Sequence, residues 1–511
     1  MLCSTALFPC RPARATRAGL CSLAVAGALA LLAGGAPARA QTVIDNQTVN
    51  VPPDHASPWN VGRLFVGSTG TGELNITSGG QVAAANWCAV GRFGGSQGVV
   101  TVDGSGSWTT GNDLYIGDSG NGTLTITNGG QVSNGAAHMG FDAGTQGIVT
   151  VDGTGSAWTN AGYLWVGFNG AGTLTITNGG AVSNTVGIVE TLPGAANAST
   201  VTVNGSNSAW TNSTRLTVGY TGQGALTVSN GGAVSAPSVL VSDDSAPSPG
   251  QGVINIGAAQ GSGAAAPGAL NTATVTLGTQ GALVFNHDST NYVFAPEIDG
   301  AGAIHQVAGV TSLSVASTYT GDITILGGAL SLTGSSADSA TVDAGTTLIL
   351  TGDQTLETLV NSGTVALDVG TTLTVDDYTG GGALQMSAQL DSGNAASVTI
   401  LHSLSGSPTT VNVVNIDPGS ALTSGNGILL ITAPAGTPAS SFRLGRVTDS
   451  AGGAITGYSY RLAHLNTGWY LQIALASAPS ATPVPTLGLG ALALLAALLA
   501  AGAALARRGG A

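Results

Sequence analysis

The 511-residue chain contains no lysine, and its twelve basic residues are all arginine. Charged residues make up only 7% of the chain and aromatic residues only 5%. Without lysine or clusters of arginine, the chain lacks the electrostatic footprint of a nucleic-acid-binding protein, so we expect no nucleic acid among its partners. The low charge and the 80 glycines favour a long, repetitive all-β chain and make a cytosolic enzyme a poor interpretation.

The N-terminus has the features of an export signal. Arg11, Arg14 and Arg17 precede an apolar run over 20–32, and Ala38-Arg39-Ala40 supplies a small-x-small cleavage site before Gln41. We therefore predict a secretory signal peptide over 1–40, cleaved between Ala40 and Gln41. A membrane anchor is the alternative, although the apolar run is short for one.

Cysteine is scarce, and cleavage would leave Cys88 as the single thiol. One thiol can form no internal disulfide, so stability has to come from repetition, and we expect Cys88 to be a small buried residue and not a nucleophile. Residues 41–480 hold six arginines against 25 acidic residues, a formal charge of −19. The exported body is therefore acidic.

The C-terminus combines a short motif, an apolar run and two arginines. The run from Leu487 to Ala506 is long enough to span a bilayer as a helix, and the arginines after it would hold the end in the cytoplasm. This arrangement resembles the IPTL-type C-terminal sorting signals of Gram-negative bacteria, and the resemblance implies an inner-membrane sorting or processing enzyme as a partner. A plain tail anchor is the alternative. The residues that carry the resemblance are Val484, Pro485, Thr486, Leu487, Arg507 and Arg508.

Internal repetition is the strongest signal in the chain. Tryptophans and Gly-Gly pairs recur at intervals of about 50 residues, and the two halves of each unit resemble each other, so the underlying period is about 25. One apolar register follows this period, and glycine stands two residues before every member but one, where Ser199 replaces it. The register consists of Leu74, Val100, Leu124, Val149, Leu174, Val201, Leu226 and Ile254.

Strict alternation of threonine with apolar residues over 123–127 is typical of a strand with one buried face. Each unit contains about three such stretches separated by turn residues, so we predict that one unit forms one coil of a right-handed parallel β-helix. Leu124, Val149 and Leu174 should then stack in one inward column, with positive-φ glycines at the corners. The expected fold is all-β with coils of about 25 residues, an N-terminal signal helix and a C-terminal transmembrane helix.

The repeats over residues 51–257 combine Gly-Gly, Val-Asp-Gly and Ser-x-Trp-Thr-Asn elements. They resemble the repeat shared by type V secretion passengers and PEP-type sorted proteins, which implies a bacterial surface or exported β-helix without an assigned activity. Residues 319–330 are similar to the passenger-associated repeat of autotransporters, and 425–471 to the C-terminal cap of their passengers. The predicted organisation is a signal peptide (1–40), a regular β-helix (41–257), degenerate coils (258–394), a cap (395–475), a linker with the sorting motif (476–486), a transmembrane helix (487–506) and a basic tail (507–511).

The sequence offers few candidates for catalytic or metal-binding residues. Asp103 and Asp152 occupy equivalent turns, but the next equivalent is Asn204, so we expect turn-formers that bond their own backbone. The adjacent pairs Asp243-Asp244 and Asp376-Asp377 are predicted to be exposed turns. The six histidines are dispersed, without the spacing of a zinc site. We therefore expect no catalytic residue, no metal site and no cofactor.

Two repeated features could bind a ligand. Trp108, Trp158 and Trp210 are expected to pack at coil corners, with a sugar-stacking array as the alternative. Threonines over 123–127 and 173–177 should point outward in columns, which suits contact with glycans or ordered water. The coil between these two stretches offers Thr150 beside Ile148 and Asp152, so the threonine array is not pure. The ordinary β-propensity of solvent-facing threonine is therefore the simpler explanation.

These observations favour an exported, non-enzymatic surface β-helix with a structural or adhesive role. Its expected partners are the sorting enzyme and cell-surface or matrix glycans. A β-helix polysaccharide lyase or hydrolase is the alternative, and a solenoid that binds glycans or orders water through a threonine face is a further one.

Overall fold

The computed structural model describes residues 40–192, 198–313, 318–417, 423 and 425–474. Ala40 and Gln41 of the predicted cleavage site are among them, and Gln41 opens the first strand. Ala38, the linker over 476–486 with its sorting motif, the apolar run over 487–506 and the basic tail lie outside the described residues. The described residues form a parallel β-solenoid of about 15 turns, and none of their helices is long and apolar enough to cross a membrane.

Three strands form each turn of the repeat region, as the alternation predicts. The turn that follows Gly120 shows the pattern with Asn121–Thr127, Gln131–Asn134 and Ala137–Met139. Each strand pairs in parallel with its counterparts one turn before and one turn after. Hydrogen bonds therefore run along the solenoid axis, and three ladders result, which we call the threonine, tryptophan and aromatic sheets.

The strands of these ladders are short, and two of them are long enough to pass from one ladder to the next. The threonine sheet contains Gln47–Val51, Thr71–Ile76, Gln97–Asp103, Asn121–Thr127, Gln146–Asp152, Ala171–Thr177, Ser199–Asn204, Gln223–Ser229, Gln251–Gly257, Gly281–Asn286, Ala303–Ala308, Asp322–Ile325, Ser335–Val342, Gln354–Asn361, Thr372–Gly380, Ser397–Gly406 and Ile428–Thr432. The tryptophan sheet contains Trp59–Val61, Gln81–Ala84, Ser107–Thr110, Gln131–Asn134, Ala157–Asn160, Ala181–Val189, Ala209–Val218, Ala233–Ser235 and Ala269–Asn271. The aromatic sheet contains Gln41–Ile44, Arg63–Val66, Cys88–Val90, Leu114–Ile116, Ala137–Met139, Leu164–Val166, the second halves of Ala181–Val189 and Ala209–Val218, then Ser238–Val241, Thr274–Leu277, Glu297–Gly300 and Thr318–Tyr319.

The predicted inward column is confirmed. Leu124 pairs with Val149 and Val149 with Leu174, and all three side chains are fully buried. The same column takes in every member of the apolar register from Leu74 to Ile254. One repeat unit is therefore one coil over the regular repeats.

The coils become shorter between Leu283 and Tyr378, and there the predicted coil length is wrong. The inward column continues as Leu283, Ile304, Ile323, Ala340, Leu359 and Tyr378, and each of these steps is shorter than any step between Leu74 and Ile254. The next step, from Tyr378 to Leu404, is again as long as those of the repeats. The aromatic sheet ends at Thr318–Tyr319, so the turns after it need fewer strands, and one C-terminal sheet takes the place of the tryptophan sheet. This sheet contains Tyr292–Phe294, Val310–Leu313, Ala329–Leu332, Thr347–Leu350, Thr364–Leu367, Ala383–Gln389, Asn394–Ala395, Thr409–Asn415 and Phe442–Asp449.

An antiparallel hairpin follows the last parallel turn. Gly468–Ala474 pairs with Ile428–Thr432 on one side and with Ser459–Leu465 on the other. Trp469 is buried against Phe442, with ring centroids 4.9 Å apart. The 3-10 turn Ala439–Ser441 precedes the strand that carries Phe442. The hairpin covers the edge of the last parallel strand, whose unpaired backbone groups could otherwise pair with a further strand.

Glycine serves two purposes in each turn, of which the sequence predicted one. Gly117 has a φ of +76° at a corner, as expected. Gly122, two residues before Leu124, is needed for a different reason: a Cβ there would lie 2.4 Å from the carbonyl oxygen of Val90 in the preceding coil. Ser199 replaces this glycine once, and its hydroxyl accepts a hydrogen bond from the Gly172 amide at 3.0 Å.

Candidate functional surface

The repeat tryptophans lie inside the solenoid, so their predicted position at coil corners is wrong. Trp108, Trp158 and Trp210 are fully buried in strands of the tryptophan sheet. Valines stand opposite them in the neighbouring coils, for example Val132 between Trp108 and Trp158. An indole in every coil would overfill the interior, so large and small side chains alternate, and this alternation explains why the tryptophans recur only in every second coil. Rings in the interior cannot stack on sugars.

Asparagine amides satisfy two of the three repeat indoles. Trp158 Nε1 donates to Asn134 Oδ1 in the preceding coil at 2.7 Å, and Asn134 in turn donates to Asn160 Oδ1 at 2.7 Å. The bond from Trp210 to Asn184 repeats this arrangement at 2.7 Å. The tryptophan and asparagine of the Ser-x-Trp-Thr-Asn element therefore tie successive coils together inside the core.

Carboxylates of the Val-Asp-Gly element also join coils. Asp103 Oδ1 accepts hydrogen bonds from Thr127 Oγ1 at 2.8 Å and Asn128 Nδ2 at 2.6 Å, both in the next coil. These bonds lower the pKa of the Asp103 carboxyl below its usual range. Asp152 repeats the arrangement with Thr177 and Asn178. The expected bond to the aspartate's own turn is the smaller part of this arrangement: the Gly104 amide also lowers the pKa of Asp103, but less than the side chains one coil away.

The two acidic pairs are likewise engaged in structure. Asp243 is buried and accepts from Ser245, while Asp244 accepts from the Thr279 amide of the next coil at 3.0 Å. The predicted exposed turn is therefore wrong for Asp243. It is also wrong for Asp376 and Asp377, which lie within the strand Thr372–Gly380.

The second pair has its partners on the neighbouring strand Ser397–Gly406. Asp376 Oδ2 lies 3.6 Å from His402 Nδ1, and Asp377 accepts from Ser403 Oγ at 2.6 Å. In the described part of the chain no three His, Cys, Asp or Glu side chains are grouped so as to hold a metal ion.

A buried glutamate escapes detection in the sequence because no motif surrounds it. Glu190 is fully buried, and its Oε2 accepts from the backbone amides of Thr221 at 2.6 Å and Gly222 at 3.0 Å. Burial raises the pKa of this carboxyl, and the bonds from Thr221 and Gly222 offset only part of that effect. Cys88 is buried as predicted, and burial raises the pKa of its thiol to about 12, which leaves it inert as a nucleophile.

The outer surface of the threonine sheet is more regular than the sequence suggested. Its flanking columns are mixed as expected, with Val99 and Ile148 exposed on one side and Asp103 and Asp152 on the other. The central column, in contrast, is uninterrupted threonine over six consecutive coils without a register shift. Its members are Thr101, Thr125, Thr150, Thr175, Thr202 and Thr227.

A continuous cluster of rings covers the outside of the aromatic sheet, and we call it the aromatic strip. It extends over five coils, and neighbouring ring centroids from Phe65 to Phe168 are 4.6 to 6.4 Å apart. The strip holds eight of the 24 Phe, Trp and Tyr residues of the chain, so aromatics are concentrated here. Its residues are Phe65, Trp87, Phe93, Tyr115, His138, Phe141, Tyr163, Trp165 and Phe168, and Phe93 joins the others through the Arg92 guanidinium.

Buried rings form the floor of the strip and partly exposed rings form its rim. Phe65, His138 and Trp165 are buried, and Tyr163 Oη lies 3.1 Å from His138 Nε2. Phe93 is 39% exposed at one end. The remaining rings of the rim are half-buried; they are Trp87, Tyr115, Phe141, Tyr163 and Phe168.

Two arginines stand at the N-terminal end of the strip. The Arg92 guanidinium lies 3.9 Å from the ring centroid of Phe65 and 4.4 Å from that of Phe93. Arg63 lies 5.4 Å from the Trp87 ring. Both contacts are cation–π interactions, which hold the guanidinium groups against the rings.

Comparison with known proteins adds little to this geometry. No protein-family model matches the chain. No curated protein matches it either. The chain is similar to a solved structure described as the TibC-catalyzed hyper-glycosylated TibA55-350 fragment, with 17% sequence identity and a TM-score of 0.25, over 75% of this chain and 99% of that one. At that TM-score the likeness supports no argument, and the parallel β-solenoid is defined by the strand register itself.

Proposed function

We propose that this chain is an exported, non-enzymatic β-solenoid with a structural or adhesive role at a bacterial surface. The observation that carries the proposal is the use of its carboxylates. Asp103, Asp152, Glu190 and Asp244 each accept hydrogen bonds from the next coil. Acid–base catalysis needs carboxylates that reach a substrate, whereas these hold the solenoid together.

Export and anchorage are part of the same proposal. The signal peptide over 1–40 would direct the chain across the inner membrane, and the sorting motif with the apolar run over 487–506 would retain it for processing. Deleting residues 483–511 should release the protein into the medium, as measured by immunoblotting of membrane and culture fractions. Unchanged membrane association of the deleted chain would contradict this part.

The adhesive role is tested by comparing cells that export the full chain with cells that do not. We expect faster sedimentation and stronger surface attachment when the chain is present. The same purified chain should show no turnover of pectic, alginate or neutral glucan substrates, with or without calcium. Turnover that Asp243→Asn or Asp376→Asn abolishes would favour the polysaccharide lyase or hydrolase instead.

A further inference from the structure

Positive charge is concentrated at the C-terminal end of the exported body. Residues 425–474 contain three arginines and one acidic residue, a formal charge of +2. Residues 41–424 contain the other three arginines and 24 acidic residues, a formal charge of −21. The C-terminal end is therefore the part of the body whose charge favours an anion. Its three arginines are Arg443, Arg446 and Arg461.

A pocket of about 330 Å³ lies on the outer face of the C-terminal sheet, where that sheet meets this basic segment. Gln385 and Asn412 stand opposite each other on paired strands and line it, and the turn over 449–452 lines it on another side. Asp449 supplies the carboxylate of the lining. Its Oδ1 accepts hydrogen bonds from two backbone amides of its own turn, at 2.7 and 3.0 Å, so this carboxylate is engaged in shaping the turn.

A β-bulge places Arg446 at the pocket. Gly445 and Arg446 together stand opposite the single residue Asn412, whose Oδ1 accepts from the Arg446 amide at 3.0 Å. Bulges of this kind redirect a side chain relative to the regular strand. The exposed guanidinium of Arg446 has no hydrogen-bond or ion-pair partner among the described residues, so it is available to a ligand.

The groups around this pocket match a carboxylate that carries hydroxyls. A guanidinium pairs with a planar carboxylate through two parallel hydrogen bonds, and one available guanidinium balances a single negative charge. The side chains of Gln385, Asn412 and Thr448, which also line the pocket, can each donate and accept, as hydroxyl groups beside the carboxylate require. The pocket volume lies at the lower end of the range of small-molecule sites, which suits one sugar unit. Uronic acids combine these features.

We propose that this pocket binds a single uronic-acid unit of a glycan, with Arg446 holding the carboxylate and with Gln385 and Asn412 contacting the ring hydroxyls. The inference rests on the adhesive role proposed above and names its ligand. Because the rest of the body is strongly acidic, an isolated or terminal uronate is favoured over a long polyuronate.

The test uses the full-length chain and the variant Arg446→Gln. The matched control is Arg443→Gln, which removes an exposed arginine from the same strand; Arg443 Nε donates to Thr410 Oγ1 at 3.1 Å, and Arg443 does not line the pocket. The probes are glucuronate and galacturonate. Glucose and galactose lack the carboxylate, acetate lacks the hydroxyls, and glucose 6-phosphate replaces the carboxylate by a phosphate. Affinity is measured by calorimetry, and circular dichroism checks that each variant is folded.

We expect at least one uronate to bind, and to bind more weakly at about 0.5 M than at about 0.05 M NaCl, because salt screens an exposed ion pair. Arg446→Gln should weaken this binding about tenfold, whereas Arg443→Gln should bind as the wild type does. Arg446→Lys should restore only part of the affinity, since an ammonium group cannot form the two parallel bonds. Gln385→Ala should also weaken binding. Each of the other four probes should bind at least about tenfold more weakly than the uronate.

Binding of neither uronate, binding that Arg446→Gln leaves unchanged, equal loss in the control, or equal affinity for acetate or glucose 6-phosphate would overturn the inference. Cell sedimentation separates its failure from failure of the proposed function. If export of the wild type promotes sedimentation while no uronate binds, the adhesive role stands and the uronate assignment falls. If a uronate binds through Arg446 but export leaves sedimentation unchanged, the assignment stands and the adhesive role falls.

Discussion

At the scale of single residues, the repeated polar side chains act along the solenoid axis. Asn134 accepts from an indole of the next coil, and Asp103 accepts from a threonine and an asparagine of the next coil. Each bond joins side chains one full coil apart in sequence, so none of them stabilises its own turn in isolation. The repeat motifs therefore encode contacts between coils. Charged side chains are few, but those of the repeats form hydrogen bonds that join one coil to the next.

Trp108 is the indole that lacks its asparagine, and this gives a stabilising substitution. The position that Asn134 and Asn184 occupy is Ala84 in the coil before Trp108, and Trp108 Nε1 has no hydrogen-bond partner among the described residues. We expect Ala84→Asn to raise the free energy of unfolding by about 1 kcal/mol, measured by urea denaturation, because it satisfies a buried donor. Ala83→Asn, on the outward side of the same strand, is the control and should change little. A lower stability for Ala84→Asn would mean that the Trp108 site lacks room for the amide.

Glu190 predicts a pH dependence of stability. Its folded-state pKa is raised above the usual value of 4.5, so the folded chain holds the proton more tightly than the unfolded one. Ionisation above that raised pKa therefore costs stability, and acidification through it restores stability. Glu190→Gln should be at least as stable as the wild type at pH 7, with the difference shrinking as the pH falls below the raised pKa. Thermal unfolding across that range measures it.

Glu190→Ala is the companion variant, because it loses the bonds to Thr221 and Gly222 as well as the charge. It should be less stable than the wild type at both ends of the pH range. If Glu190→Gln were strongly destabilised at pH 7, the carboxylate would be needed in its charged form, contrary to the raised pKa.

At the scale of the strand and its turn, glycine spacing fixes how closely successive coils approach. A Cβ on Gly122 would meet the Gly117 amide nitrogen at 2.3 Å and the Val90 oxygen at 2.4 Å, both backbone atoms that cannot rotate away. The glycine two residues before the register positions is therefore a packing requirement, which is relaxed only at Ser199. The positive-φ glycines, such as Gly117, meet a separate requirement, that of a backbone conformation which other residues rarely adopt.

Gly122→Ala tests this requirement. We expect a loss of about 1–3 kcal/mol in the free energy of unfolding, since the extra methyl forces two coils apart. Gly94→Ala is the matched control, because a Cβ there would meet nothing within 4 Å. Equal urea midpoints for the two variants would show that the coils can separate at little cost, which the ladder hydrogen bonds argue against.

At the scale of the whole molecule, each coil contacts chiefly its two neighbours, so stability is distributed along one dimension. Damage to one coil should spread to adjacent coils before it reaches distant ones. The coil also shortens between Leu283 and Tyr378, as three ladders give way to two. The aromatic strip lies entirely within the larger coils.

Leu174→Asp should open several coils around residue 174, because it buries a charge without a partner in the inward column. Thr175→Asp is the control, since the Thr175 side chain, next to Leu174 in the strand, points outward and is only half-buried. Hydrogen exchange measured by mass spectrometry should show lost protection over the adjacent strands and retained protection in the C-terminal sheet. Uniform loss along the whole chain would contradict the one-dimensional picture.

The amino-acid sequence by itself determined the coil over the regular repeats. Alternating threonine and apolar residues define strands, and a register that recurs with every repeat unit can be satisfied only when Leu124 stacks on Val100 and Val149. Hydrophobic periodicity is a local property that one sequence displays, so the inward column and the buried Cys88 were predictable. The shorter coils were not, because their register is irregular and only the pairing of strands reveals it.

Tertiary structure alone decided what the polar and aromatic residues do. The side chain of a tryptophan between two threonine-rich stretches can point into the solenoid or out to solvent. Packing against the valine of the neighbouring coil, Val132, placed the Trp158 ring inside. Asp103 needs only its own turn to bond the Gly104 amide, but only stacking of the coils brought Thr127 within reach of its carboxylate.

The aromatic strip joins rings from strands and corners of five coils. Phe65, Tyr115, His138 and Trp165 each stand two residues before a glycine, but this spacing does not show that their rings contact one another. That contact exists only once the chain has wound.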